Sequence, residues 1–128
     1  MAHFVQYHNP DKMNGPFRPA NTDFAIVTDK RGGLGEGDTV WLMTGERRPR
    51  QFSLCQTFVV EKIIQQNIRG FKYRMSGSDG KSFDPPIKIP KTGWFLELLK
   101  ITGNFRFGLQ HIKSQSIVGA MQRISTSA

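Results

Sequence analysis

Apolar residues alternate with polar ones over several short stretches of this chain, and glycine or proline separates most of these stretches. Alternation of this kind predicts β-strands, because successive side chains of a strand point to opposite faces. The sequences HFVQY (residues 3–7) and TDFAIVTD (residues 22–29) predict the first two strands. Residues 71–75 predict another, with three apolar residues facing one way and Lys72 and Arg74 the other.

Two further strands are predicted in the middle of the chain. TVWLM (residues 39–43) is a dense run of β-forming residues, which indicates a strand that is covered on both faces. QFSLCQTFVVEKII (residues 51–64) is the longest candidate. Regular alternation in it predicts a large apolar face and a smaller, more polar one. The first face is Phe52, Leu54, Phe58 and Val60, interrupted by Gln56, and the second is Ser53, Cys55, Thr57 and Val59.

Residues 76–124 combine patterns that are typical of turns, strands and helices. SGSDGKS (residues 76–82) has the composition of a turn, and the prolines of FDPPIKIPKTG (residues 83–93) predict an irregular crossing. WFLELLKI (residues 94–101) fits either a strand or a short helix, whereas NFRFGLQHI (residues 104–112) alternates and predicts a strand. SQSIVGAMQRI (residues 114–124) has helical spacing and begins with a serine suited to an N-cap, so it predicts a C-terminal helix.

These elements predict one domain over residues 1–128, of mixed α+β class and mostly β. About six short strands, glycine-rich turns and a short C-terminal helix are typical of a small five- to six-stranded β-barrel. The glycine-rich segment KRGGLGEGD (residues 30–38) lacks the Gly-Lys-Ser/Thr ending of a phosphate-binding loop, and a predicted strand follows it instead of a helix. It is therefore interpreted as a tight turn between strands.

The charge of the chain indicates a polyanionic partner. The sequence has 18 Lys and Arg against 10 Asp and Glu, giving a net charge of +8 and an isoelectric point near 10.1. A basic domain of this kind attracts nucleic acid, because each neutralised phosphate releases counterions. The alternative is that the positive charge only keeps the protein soluble.

The other bulk properties set the expected context. No apolar run approaches about 20 residues, so no membrane-spanning helix is expected, and the N-terminus does not resemble a signal peptide. The single cysteine, Cys55, excludes an internal disulfide framework. We expect a cytoplasmic protein without membrane partner or cofactor, with a monomer favoured.

No catalytic constellation is recognisable, so the sequence predicts a protein that is not an enzyme. His3, His8 and His111 lack metal-ligand spacing, and no Cys-x-x-Cys pair is present. Cys55 lies in the middle of a predicted strand, which explains it as a small packing residue. No metal site is expected.

Arginines and tryptophans supply the candidate binding residues. Arg47, Arg48 and Arg50 lie within four positions of the loop between two strands, where they could contact phosphates or form a solvated loop. The face carrying Lys72 and Arg74 could extend this surface, with Lys88 and Lys91 near it in sequence.

The two tryptophans could stack on bases. The apolar strand around Trp41 favours a core position for it. Trp94 follows an irregular segment, so core and binding site are equally open there.

The segment from GDTVWLM to FVVEKI (residues 37–63) resembles the central hairpin of the PUA-like superfamily, in particular its EVE, ASCH and YTH-like modified-base-binding branches. The matching positions are Gly37, Asp38, Val40, Thr44, Gly45, Val59, Val60 and Glu61. HFVQYHNPD (residues 3–11) is similar to the first strand of that superfamily, which ends in a short polar stretch with a proline.

This resemblance implies a barrel with a pocket at one end that takes a modified or extruded base. The exits of two strands, Tyr7-His8-Asn9 and Thr44-Gly45, would border the pocket. Tyr7 could stack on the base, His8 could contact base or phosphate, and Asn9 could bond a base edge. The alternative is that Asn-Pro-Asp simply forms a turn.

The expected function is therefore binding of DNA or RNA, with a base in the pocket and phosphates on the basic surface. The alternative is a non-enzymatic barrel that binds a protein or a small ligand.

Overall fold

Six strands and two helices make up the part of the chain that the computed structural model describes, which is residues 1–10, 24–46, 50–68, 70–106 and 108–126. In chain order they are β1 (His3–His8), β2 (Phe24–Thr28), β3 (Thr39–Glu46), β4 (Gln51–Ile68), β5 (Phe71–Ile89), α1 (Trp94–Ile101), β6 (Gln110–Ile112) and α2 (Gln115–Thr126). The prediction of a mixed α+β, mostly β protein is confirmed.

The strands form one sheet in the order β2-β5-β4-β3-β1-β6. The β1–β3 pair is parallel, and the other neighbouring pairs are antiparallel. Over the described ranges the edge strands β2 and β6 do not pair with each other, so the predicted closed barrel is wrong. One reason is that the ambiguous segment 94–101 forms helix α1 instead of another strand, and β6 is only three residues long.

Each face of the sheet has its own hydrophobic core. We call the first the helix-side core, because Phe95 of α1 and Ile117 of α2 pack there against Val5, Trp41 and Met43 of the central strands. The second, on the opposite face, is built from residues of five strands and two loops: Phe4, Ile26, Leu34, Val40, Leu42, Cys55, Phe58, Val60, Met75 and Leu109. This explains why β3 is buried from Thr39 to Gly45, as the apolar run predicted.

Irregular pairing divides β4 between the two cores. Phe52 and Leu54 belong to the helix-side core, whereas Phe58 and Val60 belong to the opposite one. The predicted single face with all four residues is therefore wrong. The register with β5 shifts between Leu54 and Gln56, and a bulge of this kind moves the following side chains to the other face.

Strand β5 continues through residues 76–82 and on to Ile89, so the predicted turn over 76–82 and the predicted irregular crossing as far as residue 89 are wrong. Its glycines act here as close-contact positions. A Cβ on Gly77 would overlap the backbone carbonyl of Val59, and a Cβ on Gly80 would lie 2.6 Å from the carbonyl oxygen of Thr57. Glycine thus lets β5 approach β4 closely.

The glycine-rich segment connects β2 to β3 as the predicted turn. Asp38 fixes it: its carboxylate accepts the Gly35 N–H at 2.9 Å and the Ala2 N–H at 3.0 Å. Helix α2 is also confirmed, with the Ser114 hydroxyl accepting the Ile117 N–H at 3.4 Å as an N-cap.

Candidate functional site

A cavity of about 460 Å³ opens where β1 ends, β4 begins and the chain leaves α1. A pocket of this volume is in the range that binds small ligands. Its lining is aromatic, cationic and amide in character: Tyr7, Asn9, Arg50, Phe52, Lys91, Leu99, Asn104, Phe105 and Arg106.

Three aromatic rings, which we call the aromatic trio, form one wall of the cavity. Tyr7 stacks on Phe105 with ring centroids 5.1 Å apart and planes 6° from parallel. Phe52 lies 6.2 Å from Tyr7 and 5.7 Å from Phe105 in tilted orientations. Such spacings are favourable for aromatic pairs. Phe52 and Phe105 are buried while Tyr7 is only half-buried, so Tyr7 is the member that a ligand can reach best.

Arg50 holds the phenol of Tyr7 in place. One guanidinium nitrogen, Nη1, donates to the Tyr7 Oη at 2.7 Å and to the Gly45 carbonyl at 3.0 Å. The position of Gly45 in β3 makes this arrangement possible. A Cβ there would lie 2.6 Å from the Tyr7 hydroxyl and 3.3 Å from Cδ of Arg50.

The turn after α1 also lines the cavity, through Asn104, Phe105 and Arg106, and its backbone is unusual. Gly103, Asn104 and Phe105 have φ angles of 58°, 58° and 62°, so three consecutive residues adopt the left-handed conformation. For a bulky residue such as Phe105 this conformation is strained, and strain of this kind is concentrated at functional sites. The Thr102 hydroxyl supports the turn by accepting the Phe105 N–H at 3.2 Å and donating to the Leu98 carbonyl at 2.8 Å. The predicted strand over 104–112 is therefore wrong for the described residues before β6, which covers only Gln110–Ile112.

Three cations, which we call the cationic rim, line the cavity together with the aromatic trio. They are Arg50, Lys91 and Arg106. The Lys91 Nζ lies 5.4 Å from the centroid of Phe52, a cation–π arrangement, and the Arg50 guanidinium carbon lies 5.9 Å from that of Tyr7. No carboxylate is among the lining residues, as far as the chain is described.

The structure brings together part of the predicted site. Tyr7, Asn9 and Arg50 line the cavity, and Gly45 lies directly behind the contact between Tyr7 and Arg50. Of the stretch Tyr7-His8-Asn9, the first and the last residue therefore line a pocket. His8 is half-buried and does not line this cavity, although its carbonyl accepts the Thr44 hydroxyl at 2.8 Å.

Other predicted site residues lie elsewhere. Trp41 is 3% exposed and its Nε1–H donates to His3 Nδ1 at 3.0 Å, so it is a core residue and not a stacking surface. Thr44 is likewise buried. Trp94 is half-buried and packs edge-on against Phe95 in the helix-side core. Burial removes Trp41 and Thr44 from the candidate contacts.

The remaining predicted cations are not part of this cavity as described. Lys72 and Arg74 lie near the start of β5, where it pairs with the end of β4, whereas the cavity lies where Phe52 pairs with Ile89. Arg47 and Arg48 lie outside the described residues.

The sequence predicts only some of the residues that line the cavity, because most of them do not stand out from the surrounding sequence pattern. Phe52 reads as a strand residue of the core, which it also is. The four others that sequence reasoning left unassigned to a pocket, namely Leu99, Asn104, Phe105 and Arg106, lie in or after α1. The Thr-Gly-Asn sequence just before Phe105 was the available signal, since Gly and Asn favour a left-handed helix ending.

Burial changes the acidity of two groups away from the cavity. Burial, assisted by the charge of Glu46, raises the pKa of the Cys55 thiol to about 12, in line with its interpretation as a packing residue. Burial also lowers the pKa of His3, with the N-terminal amine and His111 acting in the same direction and Asp38 opposing them.

Comparisons of the chain with protein-family models, with curated proteins and with solved structures gave no match. The resemblance to the PUA-like superfamily therefore stays a prediction. Within the described ranges, neither helix is long and apolar enough to cross a membrane.

Proposed function

We propose that this protein is a nucleic-acid-binding domain that takes an unpaired or extruded nucleotide, including one with a modified base, into the cavity beside Tyr7. The observation that carries the proposal is the composition of one cavity of about 460 Å³, which combines the aromatic trio, the cationic rim and two asparagines. Each group has a counterpart in a nucleotide.

The cationic groups match the phosphates. Lys91 and Arg106 are exposed and have no ion-pair partner within the ranges described, so no carboxylate of those ranges competes with a phosphate for either side chain. The net charge of +8 adds a long-range attraction that brings a polyanion to the surface.

The ring of Tyr7 matches the base. Stacking of a base on an aromatic side chain contributes about 1–3 kcal/mol and is possible for every base. Phe105 packs in parallel against Tyr7 and Arg50 bonds its hydroxyl, so the ring is fixed before a ligand arrives. Preorganisation of this kind reduces the entropy lost on binding.

The two amides match a base edge. Asn9 and Asn104 both line the cavity, and an amide side chain has a donor and an acceptor side by side. This pair of groups can hydrogen-bond the edge of a base, which gives the site a means to distinguish bases or their modifications.

The test is fluorescence anisotropy with labelled single-stranded DNA and RNA, plain and base-modified, in salt from about 50 to about 200 mM. We expect binding that weakens as salt increases. Tyr7→Leu should weaken it about tenfold, because the stacking ring is lost. Tyr7→Phe is the matched control: it keeps the ring and should retain most of the affinity.

Absence of salt-dependent binding to every strand would contradict the proposal and favour the alternative of a domain that binds a protein or a small ligand. Equal affinities of wild type and Tyr7→Leu would show that nucleic acid binds the surface without using the cavity, and would contradict the proposal in its specific form.

A further inference from the structure

We infer that the cavity binds the phosphorylated end of a single strand, with the terminal phosphate between Lys91, Arg106 and Arg50 and the end nucleotide against Tyr7. This inference rests on the proposed function and makes it more specific. It distinguishes a strand end from an internal nucleotide that is flipped out of the chain.

The charge of the cavity favours a terminal phosphate. Three cations line one cavity, and no carboxylate lines it in the described part of the chain. A terminal phosphate carries about −1.5 to −2 charges near neutral pH and three acceptor oxygens, whereas an internal phosphate carries one negative charge. Three cations at one cavity therefore suit the terminal group better.

The floor of the cavity is closed by core residues. Phe52, Leu99 and Phe105 line it, and they are only 7%, 8% and 8% exposed because they also belong to the helix-side core. A bound strand therefore has to leave the cavity on the solvent side, where Lys91, Asn104 and Arg106 are exposed. An end enters without the cost of bending and unstacking an internal nucleotide.

Two of the cations lie near aromatic rings. Lys91 Nζ lies 5.4 Å from the centroid of Phe52, so an anion near this ring would be attracted by Lys91. An aromatic ring holds a cation in position without neutralising its charge, as a carboxylate would.

Arg50 and Arg106 are the other two cations that line the cavity. Arg50 is fixed by hydrogen bonds from Nη1 to Tyr7 and Gly45, which sets the plane of its guanidinium group. Arg106 directly follows the left-handed residues Asn104 and Phe105, so the strained turn determines where it leaves the backbone. A planar guanidinium matches phosphate oxygens in pairs.

The experiment compares one single-stranded sequence in three forms: with a 5′-phosphate, with a 3′-phosphate and with hydroxyls at both ends. We expect one phosphorylated form to bind about tenfold more tightly than the unphosphorylated one. The preference should shrink below about pH 6, where the terminal phosphate dianion takes up a proton and keeps a single negative charge.

Two matched variants show where the preference arises. Lys91→Gln combined with Arg106→Gln should abolish the preference for the phosphorylated form and leave weaker binding common to all three. Lys72→Gln, which removes a charge from the far end of the β4–β5 hairpin, should keep the preference. All three side chains are exposed, so circular dichroism should show unchanged folding.

Three results would overturn the inference. Equal affinities for the three forms, with the loss in Tyr7→Leu still present, would leave the proposed function standing and reject the strand end. A free nucleoside monophosphate that competes as well as the phosphorylated strand would identify a free nucleotide as the ligand. Binding of none of the strands would reject the proposed function itself.

Discussion

Two aromatic residues lie on one face of the paired strands β1 and β3, one near each end of the pair. Each forms a hydrogen bond with a polar residue, and the two resulting pairs have different surroundings. The inner pair is Trp41 and His3, with Trp41 only 3% exposed. The mouth pair is Tyr7 and Arg50, with Tyr7 half-buried at the cavity. Both aromatic rings contact the helix-side core.

The solvent exposure of each aromatic residue, more than its type, decides its role in these two pairs. Tryptophan is the stronger stacking residue in principle, yet Trp41 uses its N–H to bond His3 inside the protein. Tyr7 lies where the strained turn leaves a cavity beside its ring. The inner pair should therefore affect stability, and the mouth pair should affect binding.

The largest expected difference is between Trp41→Ala and Tyr7→Leu. Trp41→Ala should lower the free energy of unfolding by about 3–5 kcal/mol, because it leaves a cavity in the helix-side core. Tyr7→Leu should cost only about 1 kcal/mol, since the side chain is half-buried. Urea denaturation measures both, and a larger loss of stability in Tyr7→Leu would contradict the distinction.

The distinction between the pairs was partly readable in the sequence. The apolar run around Trp41 correctly favoured a core position. The polar exit of β1 contains Tyr7 and Asn9, which line the cavity, and their role in binding stays a prediction. The presence of strands follows from the alternation of apolar and polar residues, which is a local property. That the sheet is open does not follow from it, because the choice between strand and helix for residues 94–101 depends on packing of Phe95 and Leu98 against distant strands.

The rest of the site depends on geometry that alternation does not encode. Bulges in β4 send Phe52 and Phe58 to different cores, although their spacing predicts one face. Phe105 alternates with Arg106 like a strand residue, but its left-handed backbone turns it onto Tyr7. Position in space then selects Lys91 and Arg106 among many equivalent cations.

A single methyl group should disrupt the mouth pair. A Cβ on Gly45 would lie 2.6 Å from the Tyr7 hydroxyl and 3.2 Å from Cε1 of Phe52, and both rings are rigid. Gly45→Ala should therefore cost about 1–3 kcal/mol of stability by overpacking and weaken strand binding about tenfold as Tyr7 moves. Denaturation and anisotropy measure the two effects.

Gly119→Ala is the matched control for this substitution. Its Cβ would meet only Arg123 Nη1 at 3.4 Å, and alanine favours the helix in which it lies. We expect unchanged binding and unchanged or slightly higher stability. Similar losses of binding in both variants would show that the effect of Gly45→Ala is not specific to the mouth pair.

The inner pair should respond to acid. Burial, chiefly, lowers the pKa of His3 below its ordinary 6.5, so in acid the unfolded chain takes up a proton before the folded one. The contribution of neutral His3 to stability is thus complete above about pH 6.5 and decreases as pH falls toward the lower folded pKa. Protonation also removes the Nδ1 lone pair that accepts the Trp41 N–H.

Denaturation between about pH 7.5 and about pH 5 measures this effect. In His3→Gln, an amide oxygen can still accept the Trp41 N–H but does not titrate, so its loss of stability over the same range should be smaller. Identical pH profiles would show that His3 is not the group responsible.

The smallest expected effect concerns Asn104 at the mouth, where backbone and side chain have separable roles. Asn104→Ala and Asn104→Gly both remove the amide, but only alanine meets the steric cost of a φ of 58°. Alanine should cost about 1 kcal/mol of stability relative to glycine. If the amide bonds the base, both variants should weaken strand binding to a similar extent, by a few-fold. If only Asn104→Ala weakens binding, the left-handed backbone that places Phe105 against Tyr7 is what the ligand requires. Because the same two proteins give both measurements, stability and affinity together assign the role of this residue.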